Sequence, residues 1–170
     1  IYNKESKNFN PNDLDILDDT SQETIKELEN ELKRKQKTMK YGIIWQTTIG
    51  LFPGFEDLKN GHPSECDILK TDGSMIIELK NKHNTCNSGG KKDVDRKLSN
   101  YKKKNPNTTC VWGIINDLKS CKEKKKIYKI DGVEIVKWQG EEFLSEIFTY
   151  QNIDYSKKII SQLKIIIHSI

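Results

Sequence analysis

Apolar residues recur at two different periods along this chain. Ile25, Leu28, Leu32 and Met39 fall at helical spacing. The capping-box pattern Thr20-Ser21-Gln22-Glu23 places the start of that helix at Thr20. The helix runs to about Thr48, and Pro53-Gly54 ends it. Phe52 to Glu65, with Gly54, Gly61 and Pro63, reads as a loop. Between Cys66 and Lys80 two short strands flank Asp72-Gly73, a strong hairpin signal because a type I′ turn needs positive φ at both central residues. Val94, Leu98 and Tyr101 form the apolar stripe of a basic helix from Lys91 to Lys104, closed by Asn105-Pro106-Asn107. Thr108 to Ile115 is largely apolar, as a central strand would be.

Asp117 to Lys126 reads as a charged loop. Ile127–Ile130 and Val133–Trp138 read as two further strands about an Asp131-Gly132 turn. Phe143, Leu144, Ile147 and Phe148 mark an amphipathic helix from Gly140 to Tyr150. Ile159, Ile160, Leu163, Ile166 and Ile167 mark a last helix within residues 151–170, from Asp154 onward. Residues 1–19 are polar and acidic and read as an irregular arm, docked through Phe9, Leu14, Ile16 and Leu17. The order helix, strand hairpin, helix, strand predicts a three-layer α/β arrangement with a mixed central sheet flanked by helices. No internal repeat is present, and one domain over residues 1–170 is expected.

The hairpin has a chemical consequence. With Asp72-Gly73 as its loop, Thr71 pairs with Ser74, Lys70 with Met75, and Asp67 comes to lie opposite Glu78. Opposed residues on one sheet face have Cβ atoms about 5 Å apart, and like charges there are destabilising. Lys80, two residues beyond Glu78, shares that face. Two carboxylates and an ammonium therefore cluster, and a divalent cation would turn the repulsion to use, since hard cations take carboxylate oxygens.

Composition and charge sharpen the picture. Hydrophobic residues make up 34% and charged residues 32%, so the core is small and the surface polar. The net charge of +4 is mild, but its distribution is not. Asn12 to Glu31 holds eight acidic residues and one lysine, whereas Glu78 to Lys104 holds nine Lys/Arg against three Asp/Glu, a net of +6. A basic block beside a carboxylate pair suits a polyanionic partner. Cys66, Cys86, Cys110 and Cys121 show no C-x-x-C spacing, which argues against a zinc knuckle and suits reduced thiols in a cytoplasmic protein. No apolar run approaches the roughly 20 residues of a membrane span, and no signal peptide is expected. The segment after Lys80, Asn81-Lys82-His83-Asn84-Thr85-Cys86-Asn87-Ser88, is polar and aperiodic, with donors and acceptors suited to base edges or phosphates.

The spacing Asp67-x(10)-Glu78-x-Lys80 resembles the PD-(D/E)xK nuclease pattern, with Cys66 where that family often has proline. Ile77-Glu78-Leu79-Lys80-Asn81-Lys82-His83-Asn84-Thr85 is similar to the E-[IL]-K-N-K-[YH]-N-T segment of the SinI-like type II restriction endonucleases, which cut GGNCC or GGWCC sites. Gln36-Lys37-Thr38 and Gly42-Ile43-Ile44-Trp45-Gln46 resemble that group's helix before the active site, with Trp45-Gln46 where it usually has His-Gln. Asp131-Gly132 through Glu142-Phe143 resembles its late strand and helix. The resemblance covers roughly residues 36–147.

It implies a restriction-endonuclease-like core and a Mg²⁺-dependent homodimer that hydrolyses both strands of double-stranded DNA at a short palindrome. A cognate DNA methyltransferase would act on the same site. Asp67, Glu78 and the Leu79 carbonyl would hold Mg²⁺, and Lys80 would orient or deprotonate the attacking water. Gln46 would be a supporting residue behind the metal ligands. Asn81, Lys82, His83, Asn84, Thr85, Asn87 and Ser88 would contact DNA near the scissile phosphate and base edges, and Lys91, Lys92 and Arg96 the backbone. Two rivals stand beside this reading. One is a nuclease of the same fold with a repair, nicking or structure-specific role. The other is a non-catalytic DNA-binding module in which Asp67, Glu78 and Lys80 form a salt-bridge cluster.

Overall fold

A computed structural model describes residues 22–59, 61–82, 88–117 and 122–168, save the side chains of 22–25, 28 and 168. The arm at residues 1–19 and the capping box at Thr20 lie outside the described residues. Two compact units separate, one ending at Tyr41 and the other starting at Gly42. Helix α1 (Gln22–Gly50) crosses that boundary. In the first unit, Lys35 pairs with Glu31 at 3.0 Å one turn away, and Lys37 lies over the Tyr41 ring.

The second unit is built on one mixed sheet. Its strands are β1 (Phe55–Asp57), β2 (Ile68–Lys70), β3 (Met75–Lys82), β4 (Thr109–Asn116), β5 (Lys125–Ile130) and β6 (Val133–Gln139), in the spatial order β1-β2-β3-β4-β6-β5. β3, β4 and β6 run parallel at the centre, and antiparallel hairpins form both edges. Helix α2 (Ser88–Lys104) is the crossover from β3 to the parallel β4, the connection that parallel pairing demands. Helices α3 (Gly140–Ile147) and α4 (Ser156–His168) follow, separated by a small hairpin of β7 (Thr149–Tyr150) and β8 (Ile153–Asp154).

Alternation along the strands sorts the core into two layers. On one face Ile68, Ile77, Leu79, Val111 and Val136 pack with Ile49 of α1, with Phe143 and Ile147 of α3, and against Ile159 and Ile160 of α4. On the other face Ile76, Cys110, Trp112, Ile114 and Ile135 pack with Val94 and Leu98 of α2. Gly113 permits a close contact on the first face, since a Cβ there would stand 2.5 Å from Phe143 Cζ and 3.0 Å from Ile77 Cγ2. The mixed α/β sheet between helical layers agrees with the expected architecture.

Three local expectations need correction. The loop from Phe52 to Glu65 contains β1, whose Phe55, Glu56 and Asp57 pair with Lys70, Leu69 and Ile68. The helix from Gly140 ends at Ile147, and β7–β8 turns on Gln151 and Asn152, both at positive φ (50° and 64°). The Asp72-Gly73 turn is not type I′. Only Gly73 of the pair has positive φ (73°), and its N–H donates to the Lys70 carbonyl at 2.8 Å. The turn is therefore centred on Thr71-Asp72, with Gly73 in the left-handed region that follows a type I turn. Asp72 Oδ1 secures it by accepting from the Ser74 N–H at 2.9 Å.

Candidate active site

The corrected turn leaves the register intact. Ile68 faces Ile77 and Leu69 faces Ile76, so Asp67 stands opposite Glu78, and the Asp67 N–H donates to the Ile77 carbonyl at 3.1 Å. Both carboxylates project from the sheet face covered by α2. Glu78 lies inside a strand whose other core positions, Ile76, Ile77 and Leu79, are all buried. Its own side chain is 1% exposed. Charged groups are almost never buried this deeply unless paired.

The pairing is lopsided. Lys80 Nζ donates to Glu78 Oε1 at 2.6 Å, and Lys97 Nζ, from α2, donates to the same oxygen at 3.1 Å. Glu78 Oε2 is buried and has no hydrogen-bond partner among the described residues. The indole nitrogens of Trp112 and Trp138 share that condition, but an unmet carboxylate oxygen costs more than an unmet indole N–H.

Asp67 Oδ2 accepts from the Leu79 backbone N–H at 2.7 Å. A strand residue's N–H and C=O point to the same edge, so the Leu79 carbonyl also faces the Asp67 side of β3. Burial, and then the Glu78 charge, push Asp67 up to about 6, while the Leu79 N–H, Lys80 and Lys97 pull the other way. Burial, with Glu78 and Asp67 nearby, likewise pushes the Cys66 thiol up to about 12. Cys66 and Cys110 are buried free thiols.

This donor set fits a hard divalent cation. Two carboxylates, one with a buried unmet oxygen, and a carbonyl on the same edge suit an ion bound through one or two carboxylates plus substrate phosphates. Among the described residues no group of three or more His, Cys, Asp and Glu comes together as a metal site.

The other anticipated residues divide. Asp67, Glu78, Leu79 and Lys80 are brought together. Gln46 is not with them, because its Nε2 donates to Asp57 Oδ1 at 2.8 Å. Asp57 shares its sheet face with Ile68 and Ile77, the face away from Asp67 and Glu78, and it also pairs with Lys59. Asn81 is buried, and both its backbone and side-chain oxygens accept from Asn116 Nδ2, at 3.0 and 2.9 Å. It is a strand-to-strand tie, because β3 continues to Lys82 where a loop was expected. Lys82, Ser88, Lys91 and Lys92 are exposed. Arg96 is exposed but engaged, donating to Glu65 at 2.5 and 3.2 Å and to Asp93 at 2.8 Å. His83, Asn84, Thr85 and Asn87 lie outside the described residues.

The residue that sequence reasoning missed is Lys97. A signal for it existed: on α2 it lies three residues after Val94 and one before Leu98, at the flank of the buried stripe.

A family model described as "Eco47II restriction endonuclease" matches residues 3–169. A curated relative, the type II restriction enzyme Sau96I of Staphylococcus aureus, is 31% identical over 86 residues, 51% of this chain. The match spans about a third of that enzyme's length, 32%. No solved structure matches the chain.

Proposed function

We propose a function from one premise: the chain belongs to the Eco47II restriction endonuclease family, whose model spans nearly all of it. The proposed activity is a type II, site-specific deoxyribonuclease that hydrolyses phosphodiester bonds of double-stranded DNA at a short palindromic, GGNCC-like site, using Mg²⁺. The observation that carries this reading is Glu78 Oε2, buried and unpartnered, with Asp67 across the hairpin. A purely structural salt-bridge cluster would satisfy both carboxylate oxygens, since a half-satisfied buried network is worse than an apolar core.

Asp67, Glu78 and the Leu79 carbonyl would hold the cation. When bound, it supplies Lewis-acid polarisation of a phosphate oxygen and lowers the pKa of a nearby water. Lys80, on the same face and already 2.6 Å from Glu78, donates from Nζ to orient the attacking water and offsets charge that grows on the phosphate. The Leu79 N–H fixes the Asp67 carboxylate, so the pair presents a set geometry before DNA arrives. The products are a 5′-phosphate and a 3′-hydroxyl. Lys82, Lys91 and Lys92, exposed around the start of α2, are assigned to DNA phosphates. His83, Asn84, Thr85, Asn87 and Ser88 are assigned to contacts near the cut. A homodimer suits cutting of both strands of a palindrome, and a methyltransferase of the same specificity would protect the host's own sites.

The test is digestion of a defined plasmid by purified protein with Mg²⁺, followed by sequencing of the ends. Discrete fragments with one shared end sequence are expected, and their loss in Lys80→Ala. Smearing or nicking would point to the rival nuclease role, and a Lys80→Ala variant that cuts at the parent's rate would reject the catalytic assignment.

A further inference from the structure

Lys97 stands outside the motif, nineteen residues beyond Glu78, yet reaches the same oxygen as Lys80. We infer that Lys97 is a positioning residue: a resident counter-cation that holds the buried Glu78 in the metal-free site and sets the site's charge for an anionic phosphodiester. The inference rests on the nuclease reading above.

Three observations support it. First, the two ammonium groups converge on Oε1, at 2.6 and 3.1 Å, and leave Oε2 as the oxygen open to a cation. Second, the formal charges of Asp67 and Glu78 are cancelled by Lys80 and Lys97. A divalent cation then brings the site to +2, and without Lys97 the total would be +1. Third, Lys97 has a second partner. Asp93 Oδ2 lies 3.4 Å away, one helical turn back, and can keep the ammonium when a metal takes Glu78.

Lys97 is itself held in place. Arg96 bridges Asp93 to Glu65, two residues before Asp67, and so ties α2 to the chain leading into β2. The Lys97 side chain is 18% exposed and Asp93's is 47%. The ammonium therefore stands between the buried site and the surface.

The experiment titrates Mg²⁺ alone into the parent, Lys97→Met and Lys97→Arg proteins by calorimetry. Plasmid cleavage is then measured at saturating Mg²⁺. Lys97→Met is expected to bind Mg²⁺ roughly tenfold more tightly, because a like charge beside the cation is gone. Its cleavage rate is expected to fall about tenfold, because charge facing the phosphate is gone. Lys97→Arg keeps both values near the parent's.

A merely structural role would not tighten metal binding while slowing cleavage. Unchanged or weaker Mg²⁺ affinity in Lys97→Met overturns the inference. Should Lys97→Met fail to fold, Asp93→Asn removes the alternative partner at an exposed position. It is expected to weaken Mg²⁺ binding severalfold, and unchanged affinity overturns the inference there. A parent that binds Mg²⁺ but cuts no DNA rejects the nuclease reading and leaves the titration to decide the role of Lys97. A parent that binds no divalent cation rejects both.

Discussion

Replacing Asp67 by Asn is expected to stabilise the metal-free protein at neutral pH. The substitution keeps an oxygen for the Leu79 N–H, which Asp67 accepts at 2.7 Å, and removes a half-buried charge facing Glu78. The magnitude follows from the proton. Burial and Glu78 raise Asp67 from 3.8 in the unfolded chain to about 6 in the fold. That rise is worth on the order of 3 kcal/mol. The raised value means that the native state holds this proton more tightly than the unfolded state. Its contribution is full below about pH 4, falls as pH rises through 6, and is gone above that. Asn mimics the protonated form at every pH. The variant should therefore match the parent near pH 4 and exceed it by up to about 3 kcal/mol at pH 7.5, a rise of roughly 6–12 °C in melting temperature. Carboxylates held below their ordinary range by partners, such as Asp57, Asp72 and Asp154, lose stability as pH falls. They do so in both proteins and cancel in the difference. Urea or thermal melts in chelator at pH 4, 5, 6 and 7.5 measure it. A difference that stays flat over this range, or a variant less stable than the parent at pH 7.5, would refute the reasoning.

Mg²⁺ should raise the parent's melting temperature more at pH 7.5 than at pH 5, because the cation must displace the Asp67 proton, and the shift should be lost in Asp67→Asn; differential scanning fluorimetry reads it, and equal shifts at both pH values would contradict the ligand assignment. Gly113→Ala should destabilise by about 2–3 kcal/mol in equilibrium denaturation, since its Cβ would stand 2.5 Å from Phe143 Cζ in a packed layer. Tyr128→Phe should cost about 1–3 kcal/mol in the same assay, because the Tyr128 hydroxyl donates to the buried Asp95 at 2.7 Å and ties β5 to α2.

The hairpin register was legible in the sequence although the turn type was not. Both a type I′ turn and a type I turn followed by a left-handed glycine can join strands across Thr71–Ser74, so the position of the turn, and not the near-continuous apolar run Met75-Ile76-Ile77, sets the register. A slip of one residue would have put Asp67 among the residues packed on α1 and α3. What stayed hidden depends on tertiary placement. Sequence gives the phase of α2 but not which face of the sheet it covers, so it does not single out Lys97, which turns in toward Glu78, from the other basic residues of the helix. Arg96 carries the same charge a residue away, yet faces Glu65 and Asp93 outside. Polarity alone does not distinguish a base-reading side chain from one that ties neighbouring strands, as Asn81 does with Asn116. β1, β7 and β8, at three, two and two residues, are too short to show a period.

The most informative letter in the chain is the Glu in Met75-Ile76-Ile77-Glu78-Leu79. A central parallel strand reads as a near-continuous apolar run, and a carboxylate within it opposes both propensity and burial. The fold does not remove the conflict. It sets Asp67 across the hairpin, gathers two ammonium groups on one oxygen and leaves the other unmet. Repacking with apolar residues would be the stable solution at such a position. Local rules are broken in this way mainly at functional sites. The residues that break them here come from β3, α2 and the position just before β2, while α3 and α4 pack on the opposite face of the sheet. The predicted gain from Asp67→Asn measures that conflict directly, because it is the stability forgone to keep a pair of carboxylates ready for a cation.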